Sequence, residues 1–506
     1  METRTAVKTN LAYAAIATLV LVFVPIGVAG GGDSFAPFVQ AAPGSLVETP
    51  VYVAETQNRA RESAMVCLGV PLPKGLAHPE ATMQLLHEER PVPLCTEVIS
   101  RWPDGSTRVV LIRFTASLPA NGVSEYTLRI NATGVSPPMA ATTNLTDKGL
   151  IARLPSRWYC ASGVFGPMVA AADNFTYPQI EADILRQAER HSRLEFSRLN
   201  GFYDHAHAQY MTFLRSGSRA AYEDAQRWVR WYLDEHGSWL KTYQPGKAIP
   251  AARLRYMYIE ALVEDYEIRG DLDSYNLARG LADAYLASLK ANAASFRINE
   301  RNPAFPLIGL MSFYSLTGEE KYLAGAREVV DIVLDWRDKE RGGWIRVYED
   351  KEECPHGCRG GSPFMTALLA EGLIHYHRVT SDPRVAEAIR GAADWLIREA
   401  WWPSLGKPDR LTFLYIQCRG DRGDQPGYGQ TFDLNLMFTE LLGYAWYLSG
   451  DVKYRDVALK AIRAGARSFA HHVKQYNQNM RSFGRGLYFL QSRPIATPVE
   501  GAHAGG

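Results

Sequence analysis

The feature that most constrains the fold is a unit of two helices joined by a tight turn, which recurs between about residues 180 and 480. Over this region apolar residues repeat with the 3.6-residue period of an amphipathic helix. In each unit Gly can end the first helix in a left-handed turn, and Asp or Ser can cap the start of the second helix. The five clearest turns lie at residues 213–217, 266–271, 314–319, 377–382 and 447–451.

Consecutive helical hairpins bury their apolar faces on one another, which produces an open solenoid or a closed toroid. The spacing between turns varies from about 48 to 69 residues, and this variation favours a toroid with long loops at one end. A sixth hairpin can form from residues 180–200 and the segment after residue 467. We therefore assign residues 156–495 to an α/α toroid of five or six hairpins, followed by a flexible tail at 496–506.

Residues 43–155 have a different pattern, in which short apolar or alternating segments are separated by Gly and Pro. The segments 64–70, 108–114 and 125–130 are typical of β-strands. Strands of this length with such turns indicate an antiparallel sandwich or barrel. The predicted fold class is thus multidomain α+β, with an N-terminal β-sandwich-like or barrel-like domain followed by the helical toroid.

The first 42 residues are typical of a targeting segment. Arg4 and Lys8 precede an uncharged apolar stretch at residues 11–29, and small residues follow it. This order matches a secretory signal peptide, although the stretch is also long enough to anchor the chain in a bilayer. We expect an exported protein, extracellular, periplasmic or in the cell envelope. A cleaved signal is favoured, and membrane attachment through residues 11–29 is the alternative.

The six cysteines permit disulfides in an exported chain. Cys67 and Cys95 lie in the same predicted β region and are candidates for one disulfide. Cys354 and Cys358 flank Pro-His-Gly, which we interpret as a disulfide-tied loop that can involve Cys418. A structural zinc site usually has two such pairs, so no metal is predicted. No cofactor is predicted either; calcium is compatible with an acidic glycan, but the sequence has no loop with calcium-ligand spacing.

Charge and aromatic content narrow the class of partner. Lys and Arg total 55 against 54 Asp and Glu, and the sequence has no basic run, so nucleic acid is not an expected partner. The chain contains 26 Tyr, 19 Phe and 11 Trp. Such rings suit a sugar-binding cleft, where they stack on pyranose faces, although long helices also use them in their cores.

Two motifs in the β region resemble a known family. They are Leu-Gly-Val-Pro-Leu-Pro-Lys-Gly at 68–75 and Ser-Arg-Trp-Pro-Asp-Gly-Ser-Thr-Arg-Val-Val at 100–110. The motifs resemble the N-terminal β domain of exo-rhamnogalacturonan lyase-like proteins, in which this domain is joined to a helical toroid. The resemblance implies a polysaccharide lyase whose partner is an acidic, uronate-containing polysaccharide or oligosaccharide. The hairpins also resemble those of unsaturated-glycan hydrolases, so the fold alone does not choose the reaction.

In the toroid enzymes that the repeats resemble, the helix before each turn lines the ring and its N-terminal end faces the substrate. The first such segment contains Tyr203, Asp204, His205 and His207. Asp204 and His207 are three residues apart and would share a helix face, where the carboxylate could hold the imidazole as a general base. Tyr203 and His205 are expected to contact the substrate.

The next two segments predict further catalytic and binding groups. Arg255 and Tyr258 have the i, i+3 spacing of one helix face, and the cation is expected to lower the pKa of the phenol so that it acts as base or acid. Glu260 is a candidate acid of a hydrolase. Arg301 and Asn302 could neutralise a uronate carboxylate, as a lyase requires.

Two loops supply the remaining candidates for substrate binding. Arg359 lies in a basic, Gly-rich loop, and Tyr428, Gln430 and Asp433 lie in a long polar segment that starts near residue 415.

Three functions are compatible with these residues. The first is a lyase that cleaves by β-elimination, with His207, Tyr258, Asp204 and Arg255 as catalytic residues. The second is a glycoside hydrolase with paired carboxylates. The third is a non-catalytic glycan-binding protein of the cell envelope. We rank the lyase first because of the β-domain resemblance.

Overall fold

The structure is a computed structural model that describes residues 44–78, 81–242, 247–348, 359–404, 407–419, 427–492 and 494–495. The targeting segment at 1–42, the cysteine loop with Cys354 and Cys358, and the tail at 496–506 lie outside the described residues. None of the described helices is both long and apolar enough to cross a bilayer.

The N-terminal region forms two antiparallel sheets. Their strands are β1 (Val47–Glu55), β2 (Arg61–Pro71), β3 (Met83–His87), β4 (Arg90–Pro91), β5 (Cys95–Arg101), β6 (Thr107–Leu118), β7 (Val123–Ile130) and β8 (Leu150–Arg153). One sheet has the order β4-β3-β7-β1-β8 and the other β2-β6-β5. Their inward apolar side chains belong to one core with those of the helices. The prediction of an N-terminal β region followed by helices is confirmed.

The three-stranded sheet separates the two cysteines that were expected to pair. Cys67 on β2 and Cys95 on β5 both lie opposite Arg113, on either side of β6. Two strand spacings amount to about 10 Å, which exceeds the reach of a disulfide. Both cysteines are free thiols, as is Cys160, whereas Cys418 is disulfide-bonded. The predicted pairing of Cys67 with Cys95 is therefore wrong.

The helical region has an inner and an outer set of long helices, besides the short α1 (Ser156–Ser162) and α5 (Ala251–Leu254). Inner helices are buried on nearly every side: α3 (His205–Ser216), α6 (Glu260–Arg269), α8 (Arg301–Thr317), α10 (Pro363–Thr380), α12 (Thr439–Ser449) and α14 (Val473–Gln491). Outer helices bury one face, as their amphipathic sequences predict: α2 (Glu181–His191), α4 (Arg219–Thr242), α7 (Leu272–Ala291), α9 (Glu320–Trp336), α11 (Pro383–Trp395) and α13 (Val452–Gly465).

The inner helices close a ring. Each packs against the next along the chain, and α14 returns to α3. Five of them also pack against the outer helix that follows in sequence. The outer helix α2 lies beside α14, because the ring of His191 is 5.0 Å from that of Tyr476. This is the arrangement predicted for a sixth hairpin.

Tight turns join the inner helices to the outer ones. Four turns have glycine with φ between 69° and 74°, and the fifth has Ser381 with φ of 54°. These are left-handed values that glycine adopts without the steric penalty of a side chain. Three of the following helices begin at an aspartate whose side chain accepts a backbone hydrogen bond, namely Asp271, Asp382 and Asp451. The predicted positions of the five turns are therefore confirmed, but the left-handed residue of the fourth turn along the chain is Ser381 and not the expected glycine.

The β region covers the turn end of the ring. Gly69 on β2 lies so close to α6 that a Cβ atom there would be 1.7 Å from the carbonyl oxygen of Glu267. Arg108 on β6 forms a buried ion pair with Glu267, and the Ser100 hydroxyl donates to the carbonyl of Leu316 at 2.9 Å. The N-terminal ends of the inner helices consequently lie at the opposite end of the ring.

A further antiparallel sheet lies within the helical region and was not predicted. Its strands are β9 (Arg346–Val347), β10 (Arg359–Gly361), β11 (Trp401–Ser404), β12 (Lys407–Arg419) and β13 (Gly427–Gln430). The segment after residue 415 was interpreted as a polar loop, yet its first residues belong to β12. Leu-Thr-Phe-Leu-Tyr-Ile at 411–416 has the β-branched and aromatic content of a strand, which is the signal that was available.

Candidate active site

Asp204 lies at the N-terminal end of the ring, between α3 and α6. Tyr203 and Asp204 have φ of 63° and 60°, and consecutive non-glycine residues in this region store strain that is found mainly at functional sites. In this conformation Oδ1 of Asp204 accepts from the backbone N–H of His207 at 3.2 Å. Its Oδ2 accepts from the backbone N–H of Ala261 at 3.3 Å. One carboxyl therefore caps both inner helices.

Helix α14 holds the strained turn in place. The amide Nδ2 of Asn477 donates to the carbonyls of Asn200 and Phe202, at 2.9 and 2.8 Å. One helical turn further along α14, Nη1 of Arg481 donates to the carbonyl of Tyr203 at 3.3 Å. These three hydrogen bonds fix the backbone immediately before Asp204.

His205 has a structural role, contrary to the prediction that it binds substrate. Its Nδ1 lies 2.6 Å from Oδ1 of Asn477, and its Nε2 lies 2.8 Å from Oδ2 of Asp224. The ring is only 1% exposed. His205 thus links α3 to α14 and to the outer helix α4.

A small cavity with aromatic walls borders Asp204. Trp228, Trp231, Tyr232 and Tyr258 line it, and its volume is about 20 Å³, which is enough for about one water molecule. Aromatic rings beside a carboxyl form an apolar surface that opposes ionisation of the carboxyl.

The predicted pairing of Arg255 with Tyr258 does not occur. Helix α5 ends at Leu254, so the two residues do not share a helix face. The guanidinium of Arg255 lies 5.0 Å from the ring centroid of Tyr256. The hydroxyl of Tyr258 is buried and accepts from the backbone N–H of Tyr203 at 3.1 Å, and burial raises the pKa of Tyr258 above its ordinary value. The expectation of a tyrosine with a lowered pKa at this position is therefore wrong.

Asp204 and Glu260, at the starts of adjacent inner helices, differ strongly in pKa. Burial, and then the negative charge of Glu260, raises the pKa of Asp204 to about 7. Burial also opposes ionisation of Glu260, but the guanidinium groups of Arg481 and Arg485 outweigh it and lower the pKa of Glu260 below its ordinary range. Asp204 can therefore hold a proton near neutral pH while Glu260 stays ionised, a separation typical of acid–base sites.

The lowered pKa of Glu260 results from a buried ionic cluster inside the ring. Arg481 pairs with Glu260, and its Nε donates to Glu371 at 2.8 Å. Arg485 donates to Glu371 at 2.6 Å and to Glu260 at 3.3 Å. Each carboxylate is matched by two guanidinium groups, which offsets the penalty for burying the charges.

Sequence reasoning missed three members of this ionic cluster. Glu371 is a single acid within the apolar run 364–374, and Arg481 and Arg485 are one turn apart on α14. The available signal was a charged residue on the apolar face of a helix, with no oppositely charged residue near it on the same helix. This signal does not identify the residue with which the charge pairs.

His207 is oriented by Glu264, because its Nδ1 lies 2.7 Å from Oε1 of that residue. The contact between Asp204 and His207 is made by the backbone N–H of His207 and not by its ring, so the predicted pair of Asp204 with the imidazole is wrong. Burial lowers the pKa of His207 well below its ordinary value, which favours the neutral form of the ring. His207, Glu260 and Glu371 could offer three metal-ligand atoms within 4.8 Å of one another. Both carboxylates already bind arginine, so a cation would have to displace these ion pairs.

Two cationic side chains lie at Tyr203. Nη1 of Arg301 donates to the Tyr203 hydroxyl at 3.4 Å, and Nζ of Lys474 lies 5.9 Å from the ring centroid. Both cations are partly exposed. The N-terminal parts of α3, α6, α8 and α14 meet here, and the positive ends of their dipoles add to the attraction for an anion.

Asn302 does not supply the free amide that was predicted. Its Nδ2 donates to the carbonyls of Ser295 and Ala251, at 2.8 and 3.2 Å, and the residue is 2% exposed. Asn302 therefore stabilises the start of α8, and the expectation that it neutralises a substrate carboxylate is wrong.

The remaining predicted residues lie on the third sheet and before α12. Arg359 is exposed at the start of β10, and Tyr428 and Gln430 lie on β13, which pairs with β12. Asp433 is half-buried, and burial raises its pKa above the ordinary value. The substrate-binding roles of these four residues stay predictions, whereas Tyr203, Asp204, Tyr258, Glu260 and Arg301 are brought together at one end of the ring.

No protein-family model and no curated protein matches the sequence. Similar solved structures include an inactive variant of an α-1,6-mannanase of Salegentibacter sp. HEL1_6 in complex with α-1,6-mannotriose. It is 11% identical, with 61% of this chain and 99% of that chain covered and a TM-score of 0.41. Unsaturated glucuronyl hydrolases are similar too. The Streptococcus agalactiae enzyme is 11% identical over 65% and 95% of the two chains, with a TM-score of 0.44. The Bacillus sp. GL1 enzyme is 13% identical over 62% and 95%, with a TM-score of 0.43.

Proposed function

We propose that the protein is a glycan-cleaving hydrolase that acts on an acidic sugar chain and uses Asp204 as its general acid. The observation that carries this proposal is a buried carboxyl whose pKa is raised to about 7, presented by a strained turn. A carboxyl that keeps its proton near neutral pH can protonate the leaving oxygen of a glycosidic bond.

The surroundings of Asp204 support a sugar that carries negative charge. Trp231 and Tyr232 are partly exposed aromatic side chains, a type that often stacks on pyranoses. Arg301 and Lys474 could bind a uronate carboxylate by charge-assisted hydrogen bonds. We infer an anionic glycan as substrate on this basis.

Hydrolysis also needs a group that activates water or attacks the sugar. Glu260 is unsuited because both of its oxygens already interact with the arginines of α14. Asp433 is partly exposed and precedes the inner helix α12, and we assign it as the candidate base. In this mechanism Asp204 donates its proton to the leaving oxygen, while Asp433 accepts a proton from the attacking water.

Cleavage by β-elimination is the second candidate, and the contact between Arg301 and the Tyr203 hydroxyl favours it. Arg301 could pair with the uronate carboxylate, and the Tyr203 oxygen beside it is placed to accept the proton next to that carboxylate. Tyr258 and His207 suit this role less well, because the first has a raised pKa and the second is buried and held by Glu264.

One assay with two readouts tests both candidates. The purified protein is incubated with rhamnogalacturonan, alginate, hyaluronan and ulvan, while reducing ends and the ultraviolet absorbance of unsaturated uronate are followed. Hydrolysis by Asp204 predicts reducing ends without that absorbance, and Asp204→Asn should lower the rate about 10²- to 10⁴-fold. The exposed Asp273→Asn serves as the control and should leave the rate unchanged.

The other outcomes are equally informative. A rise in absorbance that Tyr203→Phe abolishes would establish β-elimination instead. Release of reducing ends that Asp204→Asn leaves unchanged would refute the assignment of the acid. If none of the four polysaccharides is cleaved in either way, the proposed function fails for acidic glycans of these classes.

A further inference from the structure

A second concave surface, which we call the junction groove, lies between the β region and the helical ring. Strand β5, the turn after it and the C-terminal end of α8 form its walls. Its volume is about 700 Å³, and Trp102, Tyr266, Tyr275 and Tyr314 are among the residues that line it. This volume lies within the range of about 300 to 1,000 Å³ found for small-molecule sites.

The junction groove is remote from Asp204. Arg301 at the start of α8 contacts Tyr203, whereas Tyr314 lies in the last turn of the same helix. Arg301 and Tyr314 are 13 residues apart on α8, so at 1.5 Å per residue the helix separates the two sites by about 20 Å. A ligand in the groove would therefore not touch the candidate active site.

The motif Trp-Pro-Asp-Gly-Ser at 102–106, which has no part in the candidate active site, makes one wall of the groove rigid. The Ser106 hydroxyl donates to Asp104 at 2.6 Å and accepts from the backbone N–H of Gly75 at 2.9 Å. The indole N–H of Trp102 donates to the carbonyl of Leu72 at 2.9 Å. The indole plane is thus fixed while the residue stays partly exposed.

Two tyrosines on the opposite wall are also partly exposed. Tyr275 comes from α7 and Tyr314 from α8. Among the residues that the structure describes, neither hydroxyl takes part in a hydrogen bond, so both are available to a ligand. The ring of Tyr275 packs at 4.9 Å from that of Tyr266, which limits its movement. The groove therefore offers fixed aromatic faces with polar tips.

The charges near the groove are largely compensated within the protein. Arg108 is paired with Glu267, and Glu319 is paired with Arg279 at 2.9 Å. Arg101 is an exposed cation at the rim. Rigid aromatic faces, free hydroxyls and compensated charge match an uncharged pyranose better than a nucleic acid or a charged peptide.

We propose that the junction groove is a non-catalytic binding site for neutral sugar residues of a glycan. Pyranose rings stack on Trp102 and Tyr314, and their hydroxyls exchange hydrogen bonds with the tyrosine hydroxyls and with the carbonyl groups at the end of α8. The site holds a glycan chain at the end of the ring opposite Asp204. The inference does not require Asp204 to be catalytic.

Native affinity electrophoresis of the full protein in gels that contain galactan, arabinan, α-mannan or xyloglucan tests the proposal. We expect at least one of these neutral polymers to retard the wild-type protein. Tyr314→Ala should weaken this binding up to about tenfold, since one aromatic contact is worth about 0.5–1.5 kcal/mol. Tyr314→Phe keeps the ring and should retain most of the binding.

Trp446→Ala is the matched control. Trp446 lies four residues before Gly450, just as Tyr314 lies four residues before Gly318. Trp446 does not line the groove. Val98→Arg is a second test that does not disturb the core, because Val98 lines the groove and is 38% exposed. It should block binding while the melting temperature stays unchanged. Asp204→Asn should bind like the wild type, which separates this site from the proposed function.

Three results would overturn the proposal. The first is a wild-type protein that none of the four polymers retards. The second is normal retardation of both Tyr314→Ala and Val98→Arg. The third is sedimentation of the wild type as a dimer that Val98→Arg converts to a monomer without any change in glycan binding, which would identify the groove as an interface between two copies.

Discussion

Replacement of Asp204 by asparagine should change the way in which stability depends on pH. In the folded protein this carboxyl keeps its proton up to about pH 7, whereas in the unfolded chain it loses it near its ordinary pKa of 3.8. Between these two values the folded state binds more protons than the unfolded state. Stability therefore falls as the pH rises through this window. Asparagine does not titrate, so the variant lacks this contribution.

The size of the effect follows from the two pKa values. One pH unit of separation corresponds to about 1.4 kcal/mol, so ionisation of Asp204 destabilises the folded protein by about 4 kcal/mol. Near pH 4 the amide resembles the protonated carboxyl, so the two proteins should differ there only by the hydrogen bond between Asp204 and the backbone N–H of Ala261. Near pH 8 the variant should be the more stable one. The backbone N–H of Ala261, which faces Oδ2, can lose its acceptor in the variant. This loss lowers the unfolding free energy of the variant by about 1–3 kcal/mol at every pH.

Urea denaturation followed by tryptophan fluorescence at several pH values measures this change. The difference in unfolding free energy between variant and wild type should shift in favour of the variant by about 4 kcal/mol from pH 4 to pH 8. Asp273→Asn reports the effect of an exposed carboxylate and serves as the control. A difference for Asp204→Asn that stays constant within about 1 kcal/mol over this range would refute the raised pKa and, with it, the assignment of Asp204 as an acid.

Three further outcomes are expected. Arg481→Met removes a guanidinium from two buried carboxylates and should lower the unfolding free energy by about 3–5 kcal/mol in urea; a loss below about 1 kcal/mol would contradict the ionic cluster. Ser381→Gly should raise the unfolding free energy by about 0.5–1 kcal/mol, because Ser381 has φ of 54° at the position where the other four turns have glycine. A lower melting temperature of this variant would argue against this reasoning. In iodoacetamide labelling of the native protein Cys95 should react first, because burial raises the pKa of Cys67 to about 11 and that of Cys160 to about 12. Equal rates for the three thiols would contradict the structure.

The helical hairpins could be predicted because the interactions that define them are local. A period of 3.6 residues, a glycine with positive φ and an aspartate that caps the next helix all act within one or two turns of chain. Gly270 and Asp271 illustrate this, since both have the conformation that their neighbours in sequence require. The third sheet was missed because β12 lies among helices, where a single strand signal has no neighbouring strand in the sequence to support it.

The candidate site could be predicted only in part. Asp204, Tyr203 and Arg301 were correctly placed at the starts of inner helices, because the position of each helix start is again a local property. The roles of their partners were not predictable in this way. The expected partner of His207 was Asp204 on the same helix, whereas the partner in the structure is Glu264, which is 57 residues away along the chain.

The sequence by itself determined where the helices, their turns and the N-terminal strands lie, because backbone conformation and amphipathic spacing are encoded residue by residue. Only the tertiary structure decided which charges are buried together. Arg481 meets Glu371 and Glu260 across 110 and 221 residues of chain, and Cys67 is separated from Cys95 by the intervening strand β6. The pKa of a carboxyl such as Asp204 depends on the field of groups that folding brings within a few ångströms, so its chemistry arises only when the ring closes.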